Sequence, residues 1–192
     1  MTYLASSKIK FTVCILFSFI SSLTFSQEYQ LDSASTLSVY GTSSLHDWHI
    51  TTTSYSGSIS FTDINAGKIK TCSVTIPAET LKSGKSSMDK NTYKALKTNK
   101  YKNISFTLTK ADNITAKSKG NFNIEATGYL TIAGTKKLTT LNLNLSTSTN
   151  EVKLTGEKTF KMSDFNIEPP TALFGTVTTG DEITIKFNSI FK

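Results

Sequence analysis

The feature that most constrains this chain is an alternation of apolar and polar residues with a period of two. Leu37 and Val39 begin it, and Ile59 and Phe61 continue it after Gly57. Cys72, Val74 and Ile76 follow, then Ile104, Phe106 and Leu108, then Phe122, Ile124, Ala126, Gly128 and Leu130. Leu141, Leu143 and Leu145 come next, then Val152 and Leu154, and finally Ile183, Ile185 and Phe187. Thr, Ser, Asn and Lys fill the positions between them. Successive side chains of a strand point to opposite faces, so this pattern describes antiparallel strands with one buried face. Turn formers separate the runs at Asn65-Ala66-Gly67, Gly120-Asn121, Gly134, residues 146–150 and Gly180-Asp181. The spacing predicts about eight strands, in a sandwich or a barrel. Alternation leaves those two open. An eight-stranded barrel either fills with side chains or encloses one small ligand. The inward residues, mostly Val, Ile, Leu, Ala, Gly and Cys with a few Phe, permit a cavity without requiring one.

One segment departs from the pattern. Residues 87–98 show no strand alternation, and Ser86 or Ser87 can cap a helix there, with Asp89 in the first turn where the helix dipole favours an anion. Helical spacing groups Met88, Tyr93 and Leu96 on one face and sets Lys90, Lys94 and Lys97 on another. The expectation is a single short amphipathic helix covering part of the sheet. With Lys100 and Lys102, the three lysines form the densest basic patch of the chain. Such a patch attracts a lipid diphosphate head or, in transient contact, an anionic membrane surface; the plainer reading is a solvated helix face.

The alternation begins only after a different kind of segment. Lys8 and Lys10 precede an apolar stretch over residues 11–25 that is interrupted by hydroxyl residues and is short for a membrane span. Thr24 and Ser26 suit signal-peptide cleavage, so residues 1–26 are expected to be an export signal and residues 27–192 one mature domain, periplasmic or secreted. Cys14 lies inside the stretch, not at its end, which argues against lipidation; Cys72 is then the sole mature cysteine. With no internal disulfide the fold must rest on its core, and Cys72, alternating with Val74 and Ile76, reads as an inert buried thiol. The 192-residue chain carries 21 basic and 14 acidic residues, and every basic one is lysine. Without Lys8 and Lys10 the excess falls from +7 to +5, a mild bias toward anionic partners. Export and the lack of arginine argue against a nucleic-acid partner.

More specific motifs lie along the same frame. Gly41-Thr42-Ser43-Ser44-Leu45-His46-Asp47-Trp48 follows the first strand, and Met88-Asp89 opens the helix ahead of Tyr93-Lys94-Ala95-Leu96-Lys97 and Tyr101-Lys102-Asn103-Ile104-Ser105-Phe106. Then come Gly128-Tyr129-Leu130-Thr131-Ile132-Ala133-Gly134 before Lys136-Lys137, Phe165-Asn166-Ile167-Glu168-Pro169-Pro170-Thr171, and Thr179-Gly180-Asp181-Glu182-Ile183. In order and spacing these motifs resemble the YceI-like family of exported bacterial proteins over essentially the whole mature chain, with the His-Asp-Trp version resembling a subgroup. The resemblance implies an all-β, antiparallel, eight-stranded lipocalin-like barrel with a helix near one opening. It also implies a polyisoprenoid or other long-chain lipid held in an internal apolar tunnel.

Strand parity and the helix face then supply candidate ligand contacts: Ile76, Met88, Tyr93, Leu96, Ile104, Phe106, Ile124, Leu141, Leu143, Ile185 and Phe187, with Lys90, Lys94 and Lys97 for a head group. An apolar chain gains about 25 cal/mol per Å² of surface removed from water, so such walls suffice without a catalytic group. For each wall residue the simpler role is ordinary core. His46 and His49, an odd number of residues apart, point to opposite faces of a strand, so no metal site is expected; Asp47 is expected to cap local amides while Trp48 packs over the barrel end. No nucleophile elbow, metalloprotease helix or phosphate-cradling glycine loop is present, so neither catalytic residues nor a cofactor is expected. Asp164, Glu168, Asp181 and Glu182 read as turn and strand-edge residues. The alternative to a lipid carrier is a structural or interaction protein of the cell envelope, with a side-chain-filled barrel acting through its surface.

Overall fold

The computed structural model describes residues 27–192; the expected export signal over residues 1–26 lies outside the described residues. Eleven strands and one α-helix follow in order: β1 (Glu28–Gln30), β2 (Thr36–Ser43), β3 (Trp48–Thr52), β4 (Ser56–Asp63), β5 (Lys68–Pro77), α1 (Ser86–Leu96), β6 (Asn103–Ser118), β7 (Asn121–Ile132), β8 (Thr135–Thr147), β9 (Val152–Lys161), β10 (Thr171–Ala172) and β11 (Val177–Phe191). They form one antiparallel sheet in the order β1-β4-β5-β6-β7-β8-β9-β11-β2-β3, with β10 paired to β11 off that path. Each of the eight alternating runs falls in a strand of its own. The three extra strands are short, and two of them carry too few apolar residues to register as a period.

The sheet curls, and it closes along part of its length through the N-terminal segment. β1 pairs with β4 at Tyr29 and Ile59. On its other side, the N–H of Gln30 donates to the Lys192 carbonyl (2.8 Å), that of Lys192 to the Gln30 carbonyl (2.9 Å), and that of Asp32 to the Ile190 carbonyl (2.7 Å). Three residues thus join the edge of β4 to the end of β11. At the opposite end, Thr51 of β3 and Lys82 exchange backbone hydrogen bonds, both 2.9 Å, tying that edge to the connection between β5 and α1. Ser35 fastens the closure from outside the ladder. It is fully buried, accepts the Ile190 N–H (2.9 Å) and donates to the Ile190 carbonyl (3.2 Å).

Local chemistry sets the turns. Ala133 and Gly134, between β7 and β8, both have positive φ (48° and 80°), as a two-residue hairpin turn matched to strand twist requires. A Cβ on Gly134 would lie 2.3 Å from the Tyr101 ring, so no other residue fits. Gly180-Asp181, expected as a turn, instead lies within β11, where the register against β2 shifts between Thr179 and Ile183. This is a bulge, not a chain reversal, and it places the Asp181 carboxylate on the N–H of Ser163 (2.9 Å) and on its hydroxyl. The helix starts one residue earlier than expected and is not capped by Ser86 or Ser87. Asp89 instead accepts hydrogen bonds from the N–H and hydroxyl of Ser83 (2.8 and 2.6 Å), and Lys97 (φ 53°) ends the helix in the left-handed region.

The core is divided by depth. At the closed end, Ile59, Ala126, Val152 and Phe191 are fully buried and pack with Tyr29, Phe122, Ile124, Leu145 and Leu154 into a solid floor. Toward the other end the packing splits. One cluster centres on Leu130, Ile132, Met162 and Phe165, the other on Leu37, Val39, Ile50, Ile76 and Leu81, and α1 reaches both through Leu96. Truncating the floor should therefore cost more than truncating the upper wall. Leu145→Ala is expected to lower unfolding free energy by about 2–5 kcal/mol, and Ile185→Ala, beside space that is already open, by less than half as much. Denaturant titrations of the two variants measure the difference.

Candidate functional site

Above the floor, the curled sheet encloses a cavity of about 920 Å³, large enough for a long-chain ligand. Its walls are the inward positions of the strands: Val39 of β2, Ile76 of β5, Ile104 and Phe106 of β6, Leu141 and Leu143 of β8, and Ile185 and Phe187 of β11. Two glycines make room for the rings. A Cβ at Gly156 would stand 2.7 Å from Phe187, and one at Gly128 would stand 2.5 Å from Phe106, so the tips of both rings occupy space that a side chain would fill. Cys72, Leu154 and Phe191 form the bottom of the space.

The opening is framed by three elements. The first is α1, whose Met88, Thr92 and Ala95 border the cavity at helical spacing, with Leu96 beside them. The second is the turn between β2 and β3. Ser43 Oγ accepts from the amides of Leu45 (3.3 Å) and His46 (3.1 Å) and donates to the His46 carbonyl (2.7 Å). Ser43, not the expected Asp47, thus holds this turn. Trp48 packs over Gly41, donates its indole N–H to the Thr42 carbonyl (2.9 Å) and borders the space, as expected for a ring at the barrel end. The third element is the segment from Pro170 to Val177. At its tip Phe174 has φ 56° and is fully exposed, while Leu45, on the β2–β3 turn, is 68% exposed. His46 borders the opening, whereas the His49 ring stacks on Tyr40 outside (centroids 5.9 Å apart). Among the described residues no group of three or more His, Cys, Asp or Glu side chains converges as a metal site would require.

The structure brings together most of the residues singled out by parity. Ile76, Met88, Leu96, Ile104, Phe106, Leu141, Leu143, Ile185 and Phe187 all border the one cavity. Two do not. Ile124 is on the inward face but packs into the floor, 2% exposed; parity fixes the face and is silent about depth. Tyr93 is five residues from Met88, about 140° around the helix, so it leaves the inner face. Its hydroxyl lies within hydrogen-bonding distance of the carbonyls of Glu79 (2.9 Å) and Leu81 (3.1 Å) and accepts from Lys82 Nζ, anchoring α1 to the sheet. Lys90, Lys94 and Lys97 are exposed and do not line the cavity. The lysines that do are Lys85, at the start of α1, and Lys158, on the inward face of β9. Lys158 escapes the sequence reading because the apolar run of β9, Val152 and Leu154, is interrupted at Gly156 and Lys158. The same parity continues through Gly156, Lys158 and Phe160.

Burial sets the chemistry of the groups lining the wall. It pushes the Cys72 thiol up to about 12, so the thiol is protonated and inert at neutral pH. Burial also raises the Tyr55 phenol, whose oxygen lies 3.4 Å from Ser189 Oγ. At the rim, the hydrogen bonds from Ser83 hold Asp89 below the ordinary carboxylate value. A lowered carboxylate stabilises the fold above its unfolded pKa and loses that contribution as pH falls through the folded value.

A curled antiparallel barrel with a solid floor, an apolar interior and a helix across its rim defines a lipocalin-like binding fold. The chain belongs to the YceI-like family, whose domain matches residues 29–191. Three solved structures share the fold at low identity. BcnA of Burkholderia cenocepacia is 20% identical with a TM-score of 0.67, covering 83% of this chain and 98% of that one. A polyisoprenoid-binding domain from Saccharophagus degradans, implicated in plant cell wall breakdown, is 14% identical with a TM-score of 0.68, covering 85% and 97%. The YceI protein of Campylobacter jejuni is 22% identical with a TM-score of 0.59, covering 72% and 81%. No curated protein matches the sequence.

Two outcomes test this geometry. Cys72 in the native protein is expected to react with a thiol reagent at pH 8 roughly a hundredfold or more slowly than in the urea-unfolded chain, because burial removes the thiolate; comparable rates would contradict the placement. Acid titration of thermal stability should show wild type losing more below about pH 4 than Asp89→Asn, which has no lowered carboxylate to protonate.

Proposed function

We propose that this protein is an exported carrier that shelters the apolar chain of a polyisoprenoid or similar long-chain lipid in the cavity, and that it acts by binding, without catalysis. The observation that carries this reading is the 920 Å³ space itself, walled by aliphatic and aromatic side chains above a fully packed floor. A side-chain-filled barrel would have little room there, which weighs against the alternative of a purely structural envelope protein. The polyisoprenoid-binding domain of Saccharophagus degradans, built on the same fold, supports the ligand class. Export rests on the sequence of residues 1–26.

Loading from a membrane surface completes the reading. Leu45 and Phe174 project into solvent from neighbouring segments of the rim, joined by the Ser44–Thr178 hydrogen bonds, and exposed apolar side chains rimmed by polar ones suit a lipid interface. Lys90 and Lys94 are exposed on α1, beside the opening, and can draw it toward anionic lipid. In this reading the basic patch steers the carrier toward the membrane.

The test is to narrow the cavity just above the floor. Leu141→Trp places an indole in open space. It should lower affinity for a long-chain isoprenoid alcohol at least about tenfold, with the thermal midpoint unchanged or raised. Undiminished binding in a folded Leu141→Trp protein would place the lipid elsewhere and sink the proposal. Phe174→Ser should slow transfer from vesicles while leaving affinity for the free lipid intact.

A further inference from the structure

We infer that the lipid carried by this protein is an anionic amphiphile, with a carboxylate or phosphate at one end of its chain, and that Lys158 in the barrel wall is the group that recognises it. The inference rests on the carrier reading above and narrows its ligand class. Lys158 stands on the inward face of β9 between Gly156 and Phe160, opposite Ile185 of β11 in the ladder, and its side chain borders the cavity. Its neighbour in sequence, Glu157, points outward and pairs with Lys186 at 3.2 Å. Among the described residues no acceptor of the protein itself meets the Lys158 ammonium.

The rest of the lining adds no compensation. Among the described residues no aspartate or glutamate borders the cavity, whose charged groups are Lys85 at the rim and Lys158 in the wall. The Lys158 charge thus has no counter-charge within the cavity, and hydrogen bonds from an ammonium to an ionised acceptor are roughly twice as strong as neutral ones. The surroundings therefore favour a ligand that brings its own negative charge. Ile185, Leu141 and Phe160 around Lys158 are apolar, so the four-carbon stem can lie along the wall with only the ammonium presented to the ligand.

Three probes with one C15 isoprenoid chain separate the possibilities: farnesol, farnesoic acid and farnesyl monophosphate, titrated into delipidated protein at neutral pH. The acid, the phosphate, or both should bind about tenfold or more tighter than the alcohol, and which of them does so tells a carboxylate site from a phosphate site. Lys158→Met should abolish that preference and leave farnesol affinity unchanged, which also shows the variant to be folded; Lys158→Arg should retain it. Lys85→Ser should retain it too. A preference that survives Lys158→Met, or is lost with Lys85→Ser instead, overturns the assignment. Equal binding of all three by wild type overturns it while leaving the carrier reading standing, and if none binds, both fall.

Discussion

The structure depends on a short set of backbone hydrogen bonds at the closed end, where residues 30–32 join β4 to the last residues of β11. An open antiparallel sheet has two edges with unpaired N–H and C=O groups, and curling it does not remove them. Here one three-residue strand satisfies both edges at the floor, with Ser35 adding two more bonds to Ile190. Because the closure is made of backbone, the side chains at that end are free to serve only packing. Phe191, Val152 and Ile59 exclude solvent completely.

That division of labour explains how an interior can stay open. A void of several hundred Å³ forfeits dispersion contacts and hydrophobic burial that a filled core would have. The floor and the two upper clusters stabilise the fold around the space, and the long strands β6 and β7, bulged between Leu108 and Lys110 and between Asp112 and Thr115, bend around it. At the rim, polar contacts add to the packing of Met88, Leu96 and Trp48: Asp89 with Ser83, Tyr93 with the backbone of residues 79 and 81, and Trp48 with Thr42.

Much of this was legible in the sequence because a strand's period of two is fixed by geometry. All eight alternating runs are strands, and nine of the eleven candidate wall residues border the cavity. The failures each have a physical source. β1 and β10 are too short to show a period, and β3 was obscured by the His-Asp-Trp-His motif at its start. Gly180-Asp181 has turn composition but is a bulge, since the same residues serve both. Ile124 shows that parity carries no information on depth, and Tyr93 that a face shared with Leu96 need not include Met88. Lys158 was concealed for a different reason: a search for apolar alternation passes over a charged residue in an inward register, which is where a recognition group in such a barrel must sit.

The central claim is that the cavity holds a lipid in the working protein. Mass spectrometry of an organic extract from the natively purified protein tests it most directly. The account predicts a long-chain isoprenoid or related lipid at close to one molecule per chain. An extract empty of lipid, from protein that also takes up none when long-chain lipids are offered, would contradict it and point to a barrel that works through its outer surface.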